Sequence, residues 1–113
     1  MDKWLKTTTN PHSIAKTLYT LYKDRLRYNE QISKWQYFDE IKQEWLNDYN
    51  SHIIKEYFVY ESRIIILNYV NDMQPEENNV DEIMDFERLI HIANKLSTHF
   101  SSIIKEAKEF FIY

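Results

Sequence analysis

Four histidines, His12, His52, His91 and His99, are the side chains best suited to metal binding or acid–base catalysis in this chain. A di-iron helical bundle needs Glu-x-x-His pairs and a zinc protease needs His-Glu-x-x-His, and the sequence has neither pattern. Glu87 precedes His91 by four residues, so the two could share a helix face, and His99 follows two turns later. These spacings do not complete a ligand set, and we expect no metal site and no cofactor.

Glycine and cysteine are both absent, which removes most of the motifs that enzymes use. The Rossmann fingerprint, the Walker A loop, the nucleophile elbow and the EF-hand loop each need backbone that glycine supplies easily. Without cysteine there is no thiol nucleophile, no disulfide framework and no thiolate zinc site. We therefore predict no catalytic residue and a protein that is not an enzyme.

Acidic side chains concentrate in one part of a chain whose formal net charge is −4. Residues 1–36 have a net charge of +4 and residues 37–113 have −8, and no Lys or Arg occurs from 72 to 87. Such a block can solvate a loop and favour a helix N-terminus, or it can bind a basic partner. The candidate partner-binding residues of this acidic block are Asp72, Glu76, Glu77, Asp81, Glu82 and Asp85.

The first third of the chain alternates cations with aromatic residues. Cations neutralise phosphates and aromatic rings stack on bases, so the mixture is typical of a nucleic-acid contact. The competing interpretation is that the aromatic rings are core and that the cations extend from an exposed helix face. The candidate nucleic-acid contacts are Lys16, Lys23, Arg25, Arg27 and Lys34.

Aromatic residues are in surplus, since nine Tyr, six Phe and three Trp make up 16% of the sequence. Interface cores are enriched in these residue types, so some rings are expected to contact a partner. The competing interpretation is that Tyr replaces Leu in the core of a protein from an AT-rich genome, such as that of a low-GC bacterium, a phage or a plasmid. The many Ile, Asn and Lys residues fit such a source.

The apolar pattern predicts helices and little else. A first helix begins at Asn10-Pro11, because Asn caps helices and Pro fits the first turn. A second helical stretch is assigned to Ile32, Trp35, Phe38, Ile41 and Trp45. No Gly or Pro separates the two stretches, so one long kinked helix is the alternative.

The third predicted helix runs from Ser51, with Asn50 or Ser51 as its cap, to about Met73. It is apolar nearly all round, which indicates a central buried helix or one with an extra interface. Two strands are the alternative, because 57–60 and 64–67 are rich in residues that favour sheets. We prefer the helix because nothing between those runs can turn a hairpin.

The last predicted helix begins at Asn79, which forms a capping-box pattern with Glu82, and continues to Phe110. Its apolar positions recur at steps of four and three: Leu89, Ala93, Leu96, Phe100, Ile103, Ala107 and Phe110. A seam of this width suits a helical bundle. The sequence thus predicts one all-α domain over residues 1–113, an antiparallel bundle of three to four helices with a long C-terminal helix, and an irregular segment at 1–9.

No secretory signal is visible, and the uncharged apolar run at residues 64–71 is far too short to span a bilayer. We therefore expect a cytoplasmic protein without membrane contact. Its predicted function is macromolecular binding by a small inhibitor, immunity or regulatory protein with a protein partner. A homodimer is a second form of association. The alternative is a nucleic-acid-binding subunit that uses the basic, Tyr-rich first helices.

Overall fold

The computed structural model of the protein describes residues 2–73 and 79–113. Two helices precede a three-stranded sheet, and a long helical run and two further helices follow it. The elements are α1 (Asp2–Leu5), α2 (Pro11–Tyr22), β1 (Leu26–Asn29), β2 (Lys34–Asp39), β3 (Glu44–Asn47), a 3-10 turn (Tyr49–Ser51), α3 (His52–Lys55), a π-helical turn (Glu56–Glu61), α4 (Ser62–Asp72), α5 (Val80–Thr98) and α6 (Phe100–Phe111).

The prediction of an all-α helical bundle is wrong, because the described residues are 66% helical and also form an antiparallel sheet of order β1-β2-β3. The sheet occupies the stretch that was predicted as the second helix. Its register pairs Tyr28 with Trp35 and Phe38 with Trp45. Trp35 is buried on the inner face of the sheet, whereas Phe38 lies on the outer face. A helix would have placed these two side chains on the same side.

Two hairpins form without glycine because an Asn or Asp side chain shapes each loop. The Asn29 side-chain oxygen accepts a hydrogen bond from Gln31 N at 3.1 Å, and Asp39 Oδ1 accepts from Ile41 N at 3.0 Å. Ser33 and Gln43 close the loops with positive φ angles of 53° and 55°. Glycine usually fills such positions, and its absence concealed both turns in the sequence.

The apparent helical spacing in this stretch includes two apolar residues that lie at the hairpin tips. Ile41 is 96% exposed and Ile32 is 48% exposed, and both lie in the loops between strands. Their steps of three from Phe38 and Trp35 imitate one side of a helix. Apolar residues at loop tips are therefore the physical reason for the wrong assignment.

The helix starts at Asn10 and Asn79 are confirmed. Asn10 Oδ1 accepts a hydrogen bond from His12 N at 2.7 Å, and Asn79 Oδ1 accepts from Glu82 N at 3.1 Å. The predicted caps Asn50 and Ser51 make no side-chain cap bond. Instead, the side chain of buried Asp48 accepts from two successive backbone N–H groups at the start of α3.

The long C-terminal helix is also wrong, because the chain breaks at His99, which has φ −117° and ψ 27°. The break lets α5 pack along α4 while α6 packs along α2. The apolar seam is largely buried on both sides of the break, at Leu89, Ala93, Leu96, Ile103 and Ala107. Two shorter helices thus fill two neighbouring parts of one core.

Aromatic rings join the sheet to the helices in that core. Trp35 makes edge contacts with Phe58 and Phe111, with ring centroids 6.0 and 5.3 Å apart. Phe58 belongs to the π-helical turn and Phe111 to the end of α6. These contacts hold the inner face of the sheet against the helical layer.

Helix α4 is not central, although its sequence is apolar nearly all round. Ile66 and Val70 are buried, whereas Ile64, Ile65 and the preceding Tyr60 are exposed. The sequence also indicated that this helix could form an extra interface, and its exposed apolar side is the surface for which that prediction stands. In the described ranges, no helix combines the length and apolar character needed to cross a membrane.

Candidate binding site

A groove of about 670 Å³ opens between the end of the sheet and the π-helical turn. Three aromatic residues, Tyr37, Phe38 and Tyr57, form part of its walls. Five carboxylates also line it, with Arg25 as the only basic residue: Asp24, Asp39, Glu40, Glu56 and Glu61. We call this surface the acidic groove.

Two local structures bring these carboxylates together. The hairpin turn fixes Asp39, whose side chain accepts hydrogen bonds from Ile41 N and Lys42 N. Glu56 and Glu61 begin and end the π-helical turn, and five residues of α-helix would place them about 140° apart around the axis. The wider i→i+5 turn brings both to the groove, and such turns are frequent at functional sites.

Arg25 shows how the acidic groove holds a cation. Its guanidinium carbon lies 5.9 Å from the centre of the Tyr57 ring, within cation–π distance. Interaction with the Tyr57 side chain is the main cause that raises the pKa of Arg25, and the nearby carboxylates Glu40 and Glu61 contribute less. Across residues 2–73 and 79–113, none of the five groove carboxylates is within ion-pair distance of a basic side chain. The groove therefore keeps an excess of negative charge.

A second surface lies on the outer face of the sheet. The Arg27 guanidinium carbon lies 4.3 Å from the centre of the Trp45 ring and 3.7 Å from that of the Tyr113 ring. Arg27 Nε donates to Gln36 Oε1 at 2.7 Å, and Gln36 Nε2 donates to Asn47 Oδ1 at 2.9 Å. These bonds fix the guanidinium group beside both rings.

The outward positions of the three strands include two cations and no carboxylate. They are Arg27, Asn29, Lys34, Gln36, Phe38, Trp45 and Asn47, and we call them the outer sheet face. Lys34 Nζ lies 5.6 Å from the centre of the Tyr49 ring, which is exposed. Cations and rings are thus presented together on one side of an otherwise acidic protein.

The basic residues predicted as nucleic-acid contacts do not form one helical patch. Lys16 is exposed on α2, and Lys23 is exposed immediately after that helix. Arg25 lines the acidic groove, where carboxylates surround it. Arg27 and Lys34 share the outer sheet face.

The described residues of the acidic block lie at the end of α4 and in the first two turns of α5. Asp72 is the last residue of α4, and Asp81 and Glu82 are in the first turn of α5. Asp85 Oδ1 is 2.9 Å from an Arg88 guanidinium nitrogen. Glu76 and Glu77 lie outside the described residues. The partner-binding role of this block stays a prediction.

The histidines make only isolated contacts. His12 Nδ1 is 3.2 Å from Glu106 Oε2, and His99 Nδ1 is 2.9 Å from the Thr98 hydroxyl. Within the described part of the chain, no three His, Asp or Glu side chains lie close enough together to hold one metal ion, and this includes the carboxylates of the acidic groove. The acidic groove was not predicted, because its acids are spread over the sequence from residue 24 to 61 and only the fold brings them to one groove.

The sequence matches no protein-family model, and no curated protein is significantly similar to it. Function must therefore be argued from the acidic groove, the outer sheet face and the exposed side of α4.

Proposed function

We propose that this protein is not an enzyme and acts by binding a basic segment of a protein partner in the acidic groove. The supporting observation is the convergence of five carboxylates with one cation in a groove that also has three aromatic walls. Carboxylates attract Lys and Arg, and the faces of aromatic rings accept their charged groups. A small inhibitor, immunity or regulatory protein in the cytoplasm is the class that we favour.

The expected strength of this interaction depends on the number of charges. One exposed ion pair contributes about 0.2–1 kcal/mol, too little to hold a partner. Several carboxylates of one sign in a groove act together, and their summed field accelerates association and selects against acidic partners. The groove is therefore expected to govern association rate and specificity, with apolar contacts nearby adding affinity.

The test is to capture partners from the native host and to measure their association rates with three proteins. These are the wild type, the groove variant Asp39→Asn/Glu56→Gln/Glu61→Gln, and the control Glu30→Gln/Glu87→Gln/Glu109→Gln. Both variants lose three negative charges, and the control sites are exposed and outside the groove. Asn at 39 can still accept the hairpin hydrogen bonds.

We expect association with the groove variant to be about tenfold slower at low salt and the difference to shrink at high salt. The control should lose much less. If both variants slow association equally, only net charge matters and the groove is not the site.

Nucleic-acid binding is the second candidate, and the outer sheet face is the observation that favours it. Arg27 and Lys34 could contact phosphates while Trp45 stacks on a base. Two cations give a small footprint: two phosphate contacts on a single strand predict a salt slope of about −1.4. This small footprint is the reason that the candidate ranks second.

Fluorescence anisotropy with a labelled oligothymidine tests this candidate. Arg27→Gln should reduce the salt slope to about −0.7, because one phosphate contact is lost. Lys16→Gln, an exposed change on α2, is the control and should leave the slope unchanged. Equal effects of the two substitutions would exclude the outer sheet face as the contact surface.

A further inference from the structure

The geometry points to a second component of partner binding: the free edge of β3 receives the partner's basic segment as an added antiparallel strand. This inference rests on the proposed function, because the same segment would place its Lys or Arg side chains in the acidic groove. It adds the conformation of the ligand, which is an extended strand bound through its backbone.

The two edges of the sheet differ in whether another segment of the chain pairs with them. On the β1 side, Tyr28 forms an isolated parallel bridge with Ile112, which follows α6. Within the described part of the chain, β3 pairs with β2 alone, so its other edge is open. Unpaired backbone N–H and C=O groups on such an edge are a template for another strand.

The hydrogen-bond pattern identifies the groups that point outward. Asp48 N donates to Trp35 O at 2.8 Å across the β2–β3 pair, which places Leu46 and Glu44 at the other bonded positions toward β2. The backbone groups of Trp45 and Asn47 therefore point to the open edge. Two residues of β3 can each exchange a pair of hydrogen bonds with an added strand.

A groove of about 500 Å³ follows this edge, lined by Tyr37, Trp45, Leu46, Asn47 and Tyr49. Tyr37 also lines the acidic groove, so the two grooves adjoin at this residue. Cross-strand partners point to the same face of a sheet, and Glu44 pairs with Asp39 of the acidic groove. A side chain opposite Glu44 on the added strand would thus point toward the acids.

Charge complementarity selects a basic segment over a second copy of this chain. If two β3 strands paired symmetrically about Leu46, Glu44 would face Asp48 of the other copy. Like charges directly opposite each other destabilise a strand pair. A Lys or Arg at the same position would meet Glu44 and the acidic groove.

The probe for the test is the acetylated and amidated peptide Lys-Val-Lys-Val-Lys. With lysines opposite Glu44 and Leu46, the valine backbone amides face Trp45 and Asn47. N-methylation of both valine amides removes those donors, and N-methylation of two lysine amides is the control with the same charge and the same number of methyl groups. The protein itself is unchanged, so its folding cannot confuse the comparison.

We expect the unmodified peptide to shift the backbone amide resonances of Trp45 and Asn47 in heteronuclear NMR spectra. The valine-methylated peptide should bind about tenfold more weakly, since two hydrogen bonds are lost. The lysine-methylated control should bind within about twofold of the unmodified peptide, because its methyl groups point away from β3.

Three results would overturn the inference, and they separate it from the proposed function. Equal affinity of the two methylated peptides excludes strand pairing, and the acidic groove stands if Asp39→Asn/Glu56→Gln/Glu61→Gln still weakens binding. No effect of that variant on peptide binding or on the captured partner overturns the acidic groove and the inference together. Absence of binding by the unmodified peptide overturns the inference alone, since the captured partner tests the groove separately.

Discussion

At the scale of single residues, Tyr22 links α2 to the π-helical turn. Its hydroxyl is 3.1 Å from Ser62 Oγ, and Ser62 Oγ donates to Tyr57 O at 2.7 Å. Burial of the phenol raises the pKa of Tyr22 to about 12 from the ordinary value of 10.0. The tyrosine therefore stays neutral in the folded state under conditions in which it would ionise in the unfolded chain.

The first prediction is that Tyr22→Phe makes the folded state lose less stability as the pH rises above 10. Between pH 10 and about 12 the folded state keeps a proton that the unfolded state loses, so stability falls as pH rises through this window. A shift of two pKa units corresponds to about 2.7 kcal/mol, so the free energy of unfolding of the wild type falls by that amount across this window. The Tyr22→Phe variant has no phenol to ionise and should not show this fall.

At pH 7, Tyr22→Phe should be about 1 kcal/mol less stable, because the hydrogen bond to Ser62 is lost. The gap should close and reverse above pH 10 in urea unfolding measured at several pH values. A gap that is constant with pH would show that Tyr22 ionises alike in both states.

Asp48 is the second residue with a defined energetic role. Its two carboxylate oxygens accept from Ile53 N at 2.9 Å and from Ile54 N at 2.8 Å, and the side chain is buried. We predict that Asp48→Ala costs about 2–4 kcal/mol, because it removes a cap and leaves buried donors without a partner. Asp72→Ala, at the exposed end of α4, should change stability by less than about 0.5 kcal/mol in the same denaturation assay.

At the scale of elements, the two hairpins determine how far the sequence could predict this fold. Helix starts at Asn10 and Asn79 were predictable because a cap and an apolar period agree at those positions. The sheet was not, because its turns depend on Asn29 and Asp39 side chains and on non-glycine residues at positive φ. A short apolar run is compatible with either a strand or a helix, so only recognisable turn residues could have distinguished the two. These turns contain no glycine and were therefore not recognised in the sequence.

The acidic groove was less predictable than any helix. Its acids come from the α2–β1 turn, the second hairpin and the π-helical turn, and no local pattern relates them. An i→i+5 turn at Glu56–Glu61 has no sequence feature that distinguishes it from α-helix. The candidate block at 72–85 was visible because its acids are close together in the sequence, and closeness in sequence does not by itself make a binding site.

The hairpin loops give a prediction of their own. Ser33 has a φ of 53°, a conformation that costs a non-glycine residue about 1–2 kcal/mol. Ser33→Gly removes this cost but also gives the unfolded chain more conformational freedom, which opposes folding. The net effect should be a stabilisation of the protein by about 0.5–1 kcal/mol. Gln31→Gly in the same loop, where φ is not positive, should destabilise it. Destabilisation by both substitutions in thermal unfolding would contradict the loop geometry.

At the scale of the whole molecule, the chain is elongated, with dimensions of 52 × 27 × 20 Å. The α2–α6 pair and the α4–α5 pair are joined at His99. Tyr60, Ile64 and Ile65 leave an apolar side of α4 in solvent. Exposed apolar residues that adjoin one another are typical of interaction surfaces.

The prediction at this scale concerns self-association, the homodimer that the sequence suggested. Ile64→Lys/Ile65→Lys should change the free energy of unfolding by less than about 0.5 kcal/mol, because both side chains are exposed. It should lower binding of a hydrophobic dye and any dimer fraction in light scattering. A large loss of stability would show that this side of α4 is packed in the monomer.

The three tryptophans differ in their exposure to solvent, and this gives the protein its own optical reporters. Trp4 and Trp35 are 1% and 5% exposed, whereas Trp45 is half-buried at the open edge of β3. A dissolved quencher such as iodide can collide with Trp45 in the folded protein but reaches the other two only after unfolding. A strand that lies on β3 would shield the Trp45 indole, so fluorescence quenching would distinguish occupancy of the edge from unfolding in an unlabelled protein.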